Sequence, residues 1–384
     1  MNLISFSEPV SFCFRKTAGA ATVTLEAFKP HVFSDTQLES ITKHEEINTK
    51  IYKVSKMSSR IRNFHVSARK AGANKVLIYN GSGGYGDQIM TWPVAWLLHC
   101  LGFEVHVLSD PGNQVCWWNF TWVKAVHVLP LQYDLFTMFD YHAIFEDVTN
   151  MDEHQDQRHS VDSMLYRIGI DPEGVSPEVK VVHPVFTPGE LCEYNRLKDK
   201  KIAIYQLSAA NPVRSLTPND SAFLLSKLAV SFPDLHWLAI YDDMVPKPYA
   251  QSILVDDDGK MTPMEKNIEP YSSPFLRQLW ALTRAAHVVV SPDSMMVHVA
   301  GSMEIPCVGL WGPTSPRNRV AYYKNHFPVL NSEACPQAPC FCYTNGFPKY
   351  CPVSKVGPRT TCEVMAAISP KQVIDTILKN VYKK

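Results

Sequence analysis

The chain has 384 residues, 46% hydrophobic and 19% charged, and its 37 basic and 37 acidic side chains give a formal net charge of zero. These values are typical of a soluble globular protein of two or three domains. Because the net charge is zero, the chain as a whole has no electrostatic attraction for a polyanion. No apolar run approaches the ~20 residues of a membrane span. The first 25 residues lack the basic start and long apolar stretch of a signal peptide, so we expect a cytoplasmic protein whose membrane contacts are at most peripheral.

Residues 1–75 show mixed propensities without alternating strands and helices, and we expect them to form a separate N-terminal appendage. Within them, the stretch 50–75 contains basic residues and no acidic ones. The run is typical of a solvated helix face or a basic linker, but it also suits an anionic membrane surface, a lipid-linked saccharide or nucleic acid. The basic residues are Lys50, Lys53, Lys56, Arg60, Arg62, Arg69, Lys70 and Lys75.

An α/β rhythm begins at Val76 and defines a domain over residues 76–195. Short apolar runs predict buried strands, and a longer amphipathic segment containing Pro93 predicts a kinked helix. We expect strands at 76–79, 103–108, 124–130 and 142–148, a loop at 81–86, a helix from Asp87 to Leu101, and a linker over residues 151–200.

The same rhythm returns in residues 196–384, where three Ser/Thr-Pro pairs indicate helix starts. We expect two doubly wound Rossmann-like α/β domains, residues 76–195 and 196–384, that face a cleft. The predicted strands are 201–208, 236–241, 288–290 and 307–311, and the predicted helices begin at Thr217-Pro218, Ser273-Pro274 (to about residue 286), Ser294 (to Met303) and Ser369-Pro370.

A glycine-rich loop, GSGGYGD at residues 81–87, connects the first strand to the first helix of the α/β region. Its glycines, Gly84 and Gly86 among them, allow backbone to approach a ligand closely. It has neither the Lys-Ser/Thr of a Walker loop nor the spacing of a dinucleotide fingerprint. Asp87 suits a helix N-cap, and equally a general base, because a carboxylate at a helix N-terminus stays ionised near neutral pH.

Residues 287–316 contain two turns that follow adjacent predicted strands. Backbone N–H groups at such positions favour phosphate, and open α/β sheets bind ligands at this edge. Asp293 and Ser294 begin one turn, His298 lies in its helix, and the other turn is Gly312-Pro313-Thr314-Ser315. Capping, core packing and turn formation are the alternative roles of these residues. Arg214, after strand 201–208, is either a surface charge or a clamp for a diphosphate.

Metal binding is a weaker interpretation of two other features. The spacing of Cys335, Cys340, Cys342, Cys351 and Cys362 does not fit paired zinc knuckles, and free thiols or a redox-dependent staple are favoured. The acidic clusters 242–243 and 256–258 resemble sugar-transferase metal sites only superficially.

Together these blocks resemble the heptosyltransferase family of glycosyltransferases. The resemblance lies in YGDQIMTWP (85–93), DSMMVHVA (293–300) and GLWGPTSP (309–316). It implies a GT-B fold, inverting chemistry and no required metal or cofactor, with a nucleoside-diphosphate sugar as co-substrate. By this resemblance Asp87 is the general base, residues 76–195 form the acceptor side and residues 196–384 bind the nucleotide sugar. A glycan or lipid-linked acceptor supplies the hydroxyl. The donor-binding residues that it implies are Gly84, Gly86, Arg214, Asp293, Ser294, His298, Gly312, Pro313, Thr314 and Ser315.

Two alternatives remain open at the level of sequence. One is a glycosyltransferase that acts on a hydroxymethylated base in DNA, with residues 50–75 contacting the nucleic acid. The other is a non-catalytic member of the family that only binds nucleotide or glycan.

Overall fold

The computed structural model divides the chain into two compact units, with residues 1–149 and 161–182 in unit 1 and residues 150–160 and 183–384 in unit 2. This division differs from the predicted boundary at 195/196. The structure describes all residues except 8–9, 17–18, 28, 44, 49, 57–63, 82–83, 146–157, 241–264, 274, 341–361 and 383–384.

Unit 1 combines a parallel sheet of the predicted type with an antiparallel sheet. The parallel strands are short, and β6, β7 and β10 are mostly buried as the apolar runs predict, whereas the edge strand β8 is only half-buried. The strands of unit 1 are β1 (Asn2–Phe6), β2 (Val10–Lys16), β3 (Gly19–Leu25), β4 (His31–Phe33), β5 (Ile51–Lys56), β6 (Lys75–Tyr79), β7 (Glu104–Ser109), β8 (Val123–Val128), β9 (Leu131–Gln132) and β10 (Tyr141–Ile144). The parallel sheet has the order β10-β6-β7-β8, the antiparallel sheet has the order β5-β1-β4-β9, and β2 and β3 form a hairpin.

The helices of unit 1 include the predicted helix after the glycine-rich loop. That helix begins at Tyr85 rather than Asp87 and contains Pro93. The helices are α1 (Asp35–Thr42), α2 (Glu45–Asn48), α3 (Tyr85–Cys100), α4 (Tyr133–Thr137) and α5 (Ser160–Arg167), and the 3-10 turns are Val66–Ala68, Asn113–Trp117, Pro172–Gly174 and Pro177–Lys180.

The N-terminal residues do not form the separate appendage that the sequence predicts. Strand β9, from the α/β region, pairs antiparallel with β4, so the N-terminal sheet incorporates part of that region. Leu3 and Val32 pack in one buried cluster with Leu77 and Leu108 of the parallel sheet. The prediction failed because the pairing joins segments about a hundred residues apart, which local pattern does not reveal.

The predicted linker 151–200 is wrong in its described part, because it contains ordered helices. Val161, Met164 and Leu165 of α5 and Ile168 directly after it recur at helical spacing, and all four are buried. The flanking prolines and charges obscured this short apolar stripe.

Unit 2 is a six-stranded parallel sheet with helices along it. Its strands are β11 (Ile202–Gln206), β12 (His236–Ile240), β13 (Ile268–Tyr271), β14 (Ala286–Pro292), β15 (Cys307–Leu310) and β16 (His326–Val329), in the order β13-β12-β11-β14-β15-β16. Its helices are α6 (Cys192–Leu197), α7 (Pro218–Ser231), α8 (Leu276–Thr283), α9 (Met295–Ser302), α10 (Arg317–Val320), α11 (Glu363–Ala366) and α12 (Pro370–Asn380), and its 3-10 turns are Pro212–Arg214 and Ser332–Ala334.

Two of the three predicted Ser/Thr-Pro helix starts in unit 2 are confirmed. Thr217 caps α7 by accepting the backbone N–H of Asp220, and Ser369 forms a capping box with Gln372 at the start of α12. The third is wrong: α8 begins at Leu276 after the N-cap Phe275 and ends at Thr283. Within the described residues, no helix is both long and apolar enough to cross a membrane.

Candidate functional site

The glycine-rich loop leads directly into α3 and positions Asp87 in the first helical turn. Gly84 is the N-cap, so the N-cap interpretation of Asp87 is wrong and its carboxylate lies at the third helical position. The carboxylate folds back over Gly84: a Cβ on Gly84 would lie 2.8 Å from Asp87 Oδ2. Gly86 lies between them in the same turn, and Asp87 is half-buried. The positive end of the helix dipole favours the ionised carboxylate at this position.

A buried polar network, which sequence reasoning missed, fixes the junction between β6 and α3. Asn80 donates to the carbonyl of Asp87 at 3.2 Å and to the hydroxyl of Thr91 at 2.8 Å, and Thr91 also donates to the Asp87 carbonyl at 2.8 Å. Gln88 donates to the Asn80 carbonyl at 2.7 Å and accepts the indole N–H of Trp117 at 3.0 Å. The signal in the sequence was a polar Asn at the end of an apolar strand. Since these groups are buried and paired, they hold the turn that presents Asp87.

In unit 2, the structure brings the two predicted turns together. Strands β14 and β15 are adjacent and parallel, with Pro292 opposite Leu310, so both turns leave the same edge of the sheet. The Thr314 hydroxyl donates to Asp293 Oδ2 at 2.6 Å and joins the turns directly. Arg214, from the 3-10 turn after β11, donates to the Asp293 carbonyl at 2.9 Å and lies 3.5 Å from its carboxylate.

Asp293 is buried, and its charge is compensated by its neighbours. Burial alone would raise the pKa of the carboxyl, but the cations Arg214 and Arg319 and the Thr314 hydroxyl outweigh it and lower the pKa below its usual value. Asp293 is therefore ionised at neutral pH, and it fixes the guanidinium of Arg214 and the hydroxyl of Thr314. Thr314 is fully buried, so its hydroxyl serves the link to Asp293 rather than a ligand, and Ser315 is the residue of this turn whose backbone N–H has access to one.

Ser294 is the N-cap of α9, but its side chain makes no capping bond to the helix. Its hydroxyl instead accepts Gln206 Nε2 at 3.1 Å, and Gln206 Oε1 accepts the Ser291 hydroxyl at 2.8 Å. Sequence reasoning missed Gln206, although a polar residue at the end of the apolar strand β11 was a signal. This arrangement leaves the first turn of α9 without a side-chain cap from Ser294, which suits an anionic ligand at the helix start.

His298 lies behind the turns rather than at their surface. It is buried, and its Nδ1 is 3.2 Å from the Tyr323 hydroxyl. Burial, with smaller effects of nearby cations, lowers its pKa to about 3 although Asp293 opposes the shift, so the imidazole is neutral at physiological pH. Gly301, one turn further along α9, has no room for a Cβ because the Tyr323 ring would lie 2.2 Å away. These contacts favour the packing role for His298.

The second turn packs against the C-terminal segment. A Cβ on Gly312 would lie 2.5 Å from Met365 Cγ, so α11 requires glycine there. Pro313 is buried, whereas Ser315 is half-buried and its carbonyl accepts the N–H of Asn318 at 3.2 Å. Ser315 is thus the side chain of this turn with the most access to a ligand.

Arg319 is a further residue near the turns that sequence reasoning missed. It is buried, donates to the Ser160 hydroxyl at 2.7 Å and acts electrostatically on Asp293. No pattern distinguished it from the other arginine of α10, Arg317.

The predicted donor residues fall in both units: Gly84 and Gly86 lie with Asp87 in unit 1, and the others lie in unit 2. Among the described residues, no group of three or more His, Cys, Asp or Glu side chains is placed to hold a metal ion. Cys335 and Cys362 are buried in the core of unit 2. Cys342, Cys351 and the acidic clusters 242–243 and 256–258 lie outside the described residues.

A protein-family model matches the segment of the chain that contains the unit 2 turns. The family model described as "Glycosyltransferase family 9 (heptosyltransferase)" matches residues 274–351, which include both turns but neither Asp87 nor Arg214. A search of curated protein sequences found no match.

Several solved structures have a similar fold. ADP-heptose LPS heptosyltransferase II of E. coli is 12% identical, with a TM-score of 0.56 over 80% of this chain and 98% of its own. A glycosyl transferase family 9 protein of Veillonella parvula is 12% identical, with a TM-score of 0.58 over 81% and 98%. The iron-containing dodecameric glycosyltransferase TibC of E. coli H10407 is 15% identical, with a TM-score of 0.56 over 82% and 80%.

The two parallel-sheet units and these similarities define the fold of a GT-B glycosyltransferase, which confirms the predicted fold class. Within that class, residues 274–351 carry the sequence features of glycosyltransferase family 9, so the predicted heptosyltransferase-like resemblance is confirmed. The same match supports glycosyltransferase activity, as the sequence predicts.

Proposed function

We propose that this protein transfers a sugar, with inversion and without a required metal, from a nucleoside-diphosphate sugar to the hydroxyl of a saccharide or lipid-linked glycan. The observation that carries the proposal is the joining of the two turns of unit 2 by Asp293 and Thr314, in the segment that matches the family. E. coli heptosyltransferase II, by its name, uses ADP-heptose and LPS, which supports a donor and an acceptor of these classes.

The donor diphosphate is proposed to bind at the unit 2 turns. As the bond between the anomeric carbon and the diphosphate breaks, negative charge grows on the leaving oxygen. Backbone N–H groups at the start of α9 and the N–H of Ser315 stabilise that charge, and they are preorganised because Asp293 holds the turns together. Arg214 adds positive charge at the same edge and keeps its orientation through the Asp293 carbonyl.

The acceptor is proposed to be activated by Asp87. Its carboxylate takes the proton of the acceptor hydroxyl as that oxygen attacks the anomeric carbon from the side opposite the diphosphate. One C–O bond forms while the other breaks, so the configuration at the anomeric carbon is inverted. The helix dipole favours the ionised carboxylate, which suits a base more than an acid.

A panel of nucleoside diphosphates and their sugars tests the donor site by thermal unfolding. A ligand at 100 times its dissociation constant stabilises the folded state by ~2.7 kcal/mol, which raises the melting temperature measurably. We expect one of ADP, UDP, GDP, CDP or TDP, or its sugar, to do so, and Thr314→Val to weaken that response. If none changes the melting temperature of the wild type, the donor site is wrongly assigned.

A further inference from the structure

An aromatic cluster lies at the C-terminal end of α3, far along the helix from Asp87. The rings of Trp96 and Trp122 are 5.6 Å apart, and His99 lies 5.5 Å from Trp96. The two tryptophans are half-buried and His99 is exposed. Next to them in the chain, Leu101 is 44% exposed at the end of the helix. Contiguous apolar surface rimmed by polar residues marks interaction sites, so the polar groups around this end of α3 decide what it could contact.

Arg69 ties the loop 69–74 to this end of α3. Its guanidinium donates to the carbonyls of Leu101 at 2.8 Å and Gly102 at 3.2 Å, and it lies 4.3 Å from the centroid of the Phe103 ring. The loop lines an open depression of about 450 Å³. The positive charge of Arg69 is therefore fixed at the C-terminal end of α3, the end of the helix that also carries Trp96 and His99.

Further basic residues surround the same end of the parallel sheet. Lys70, Lys75 and Lys124 are exposed, and Lys75 and Lys124 both act electrostatically on Glu104 at the start of β7. Asp140 is the other carboxylate here, and it accepts the backbone N–H groups of residues 74 and 75. At this end of the sheet the basic side chains named here, Arg69, Lys70, Lys75 and Lys124, thus outnumber the carboxylates Glu104 and Asp140, in a chain whose net charge is zero.

We propose that this surface, the aromatic-basic face (Arg69, Lys70, Trp96, Leu101, Trp122 and Lys124), binds the anionic headgroups of a lipid bilayer. Tryptophan rings are favoured at the boundary between headgroups and acyl chains, where one edge is apolar and the other is hydrated. Lysine and arginine beside them gain from the negative surface potential of an anionic leaflet. Duplex DNA also attracts cations, but its backbone offers no apolar layer for Leu101 and the tryptophans.

The position of the aromatic-basic face determines how far the Asp87 carboxylate would lie from the bilayer surface. Helix α3 has 16 residues, and Asp87 and Leu101 lie at its opposite ends. With a rise of ~1.5 Å per residue, the carboxylate is about 20 Å from the face along the helix axis. A lipid-linked acceptor would then present its hydroxyl roughly that far from the headgroups, at the glycan rather than at the lipid.

Vesicle flotation with the full chain tests the proposal directly. The wild type is mixed with phosphatidylcholine vesicles that contain either no anionic lipid or about 30% phosphatidylglycerol, a composition that gives a negative surface potential. We expect binding to the anionic vesicles only. The variant Lys70→Glu/Lys124→Glu should bind more than 30-fold less tightly, since loss of each lysine alone costs a factor of about five, equivalent to ~1 kcal/mol per charge. Leu101→Glu should weaken binding as well, because it removes apolar surface.

The matched control is Lys227→Glu/Lys379→Glu, which reverses two exposed lysines in unit 2 and should bind as the wild type does. All substituted positions are exposed, so the melting temperatures should stay close to that of the wild type. Equal binding by the Lys70→Glu/Lys124→Glu variant and the control would overturn the proposal. The proposal would also be overturned if the wild type did not bind anionic vesicles, or if a duplex DNA fragment competed the protein away from them. The proposal does not depend on the identity of the sugar donor.

Discussion

Because Gly84 has no side chain, the carboxylate of Asp87 can fold back over it. Gly84 has φ −90° and ψ 145°, which any residue adopts without strain, so the backbone alone does not require glycine. The absence of a Cβ at Gly84 matters because the carboxylate of Asp87 lies over it and would have to move to make room for one. The sequence pattern left Asp87 either a helix N-cap or a general base, and the resemblance to heptosyltransferases implied the base. It did not predict that the helix begins two residues earlier, with Gly84 as the N-cap and Asp87 at the third helical position.

Gly84→Ala should impair catalysis without unfolding the protein. The new Cβ would lie 2.8 Å from Asp87 Oδ2, so the carboxylate must move. A misplacement of about 1 Å can lower a rate by ~10²-fold, and we expect a fall in kcat of that order. The control is Gly174→Ala in the same unit, where no atom lies within 4 Å of the new Cβ. Equal kcat values for both variants, at equal melting temperatures, would show that the position of this carboxylate is irrelevant to turnover.

At the scale of elements, the site in unit 2 is two turns from neighbouring strands, held by one buried carboxylate. The sequence predicted both strands and both turns within two residues, because short apolar runs and Pro-rich breaks are strong local signals. It did not predict that Asp293 would accept hydrogen bonds from the side chains of Thr314 and Arg214, because contacts across turns depend on how the strands pair. Gln206 and Arg319 were missed for the same reason.

Thr314→Val should destabilise unit 2 and weaken nucleotide binding together. The substitution removes the hydroxyl donor of a buried, ionised carboxylate, and hydrogen bonds to charged groups contribute ~1.5–3 kcal/mol. Thr283→Val is the matched control, because its hydroxyl is equally buried but donates to the neutral carbonyl of Leu279 at 2.9 Å. Urea unfolding should show the larger loss for Thr314→Val, and only that variant should bind the nucleoside diphosphate less tightly. A smaller loss than the control would mean that the link between the turns is energetically unimportant.

At the scale of the whole molecule, local pattern predicted most strands of the two parallel sheets, but it missed the edge strands β13 and β16 of unit 2 and what is attached to the sheets. Strands of parallel sheets are buried on both faces and appear as continuous apolar runs, which is why β6, β7, β11, β12, β14 and β15 were all found. The antiparallel sheet of unit 1 was missed because β4 pairs with β9 across about a hundred residues. The helix α5 was missed because its apolar stripe is only eight residues long and lies among prolines and charges.

The central claim is that Asp87 is the base of a sugar transfer whose donor binds at the turns of unit 2. The most direct measurement compares wild type with Asp87→Asn for release of nucleoside diphosphate and for donor dissociation constant, using the donor identified by thermal unfolding. Asp134→Asn is the control, an exposed carboxylate in the first turn of another helix of unit 1. General base catalysis is typically worth ~10²–10⁴ in rate, so kcat for Asp87→Asn should fall by that factor while donor binding and Asp134→Asn stay unchanged. Turnover by Asp87→Asn at the wild-type rate would contradict the account.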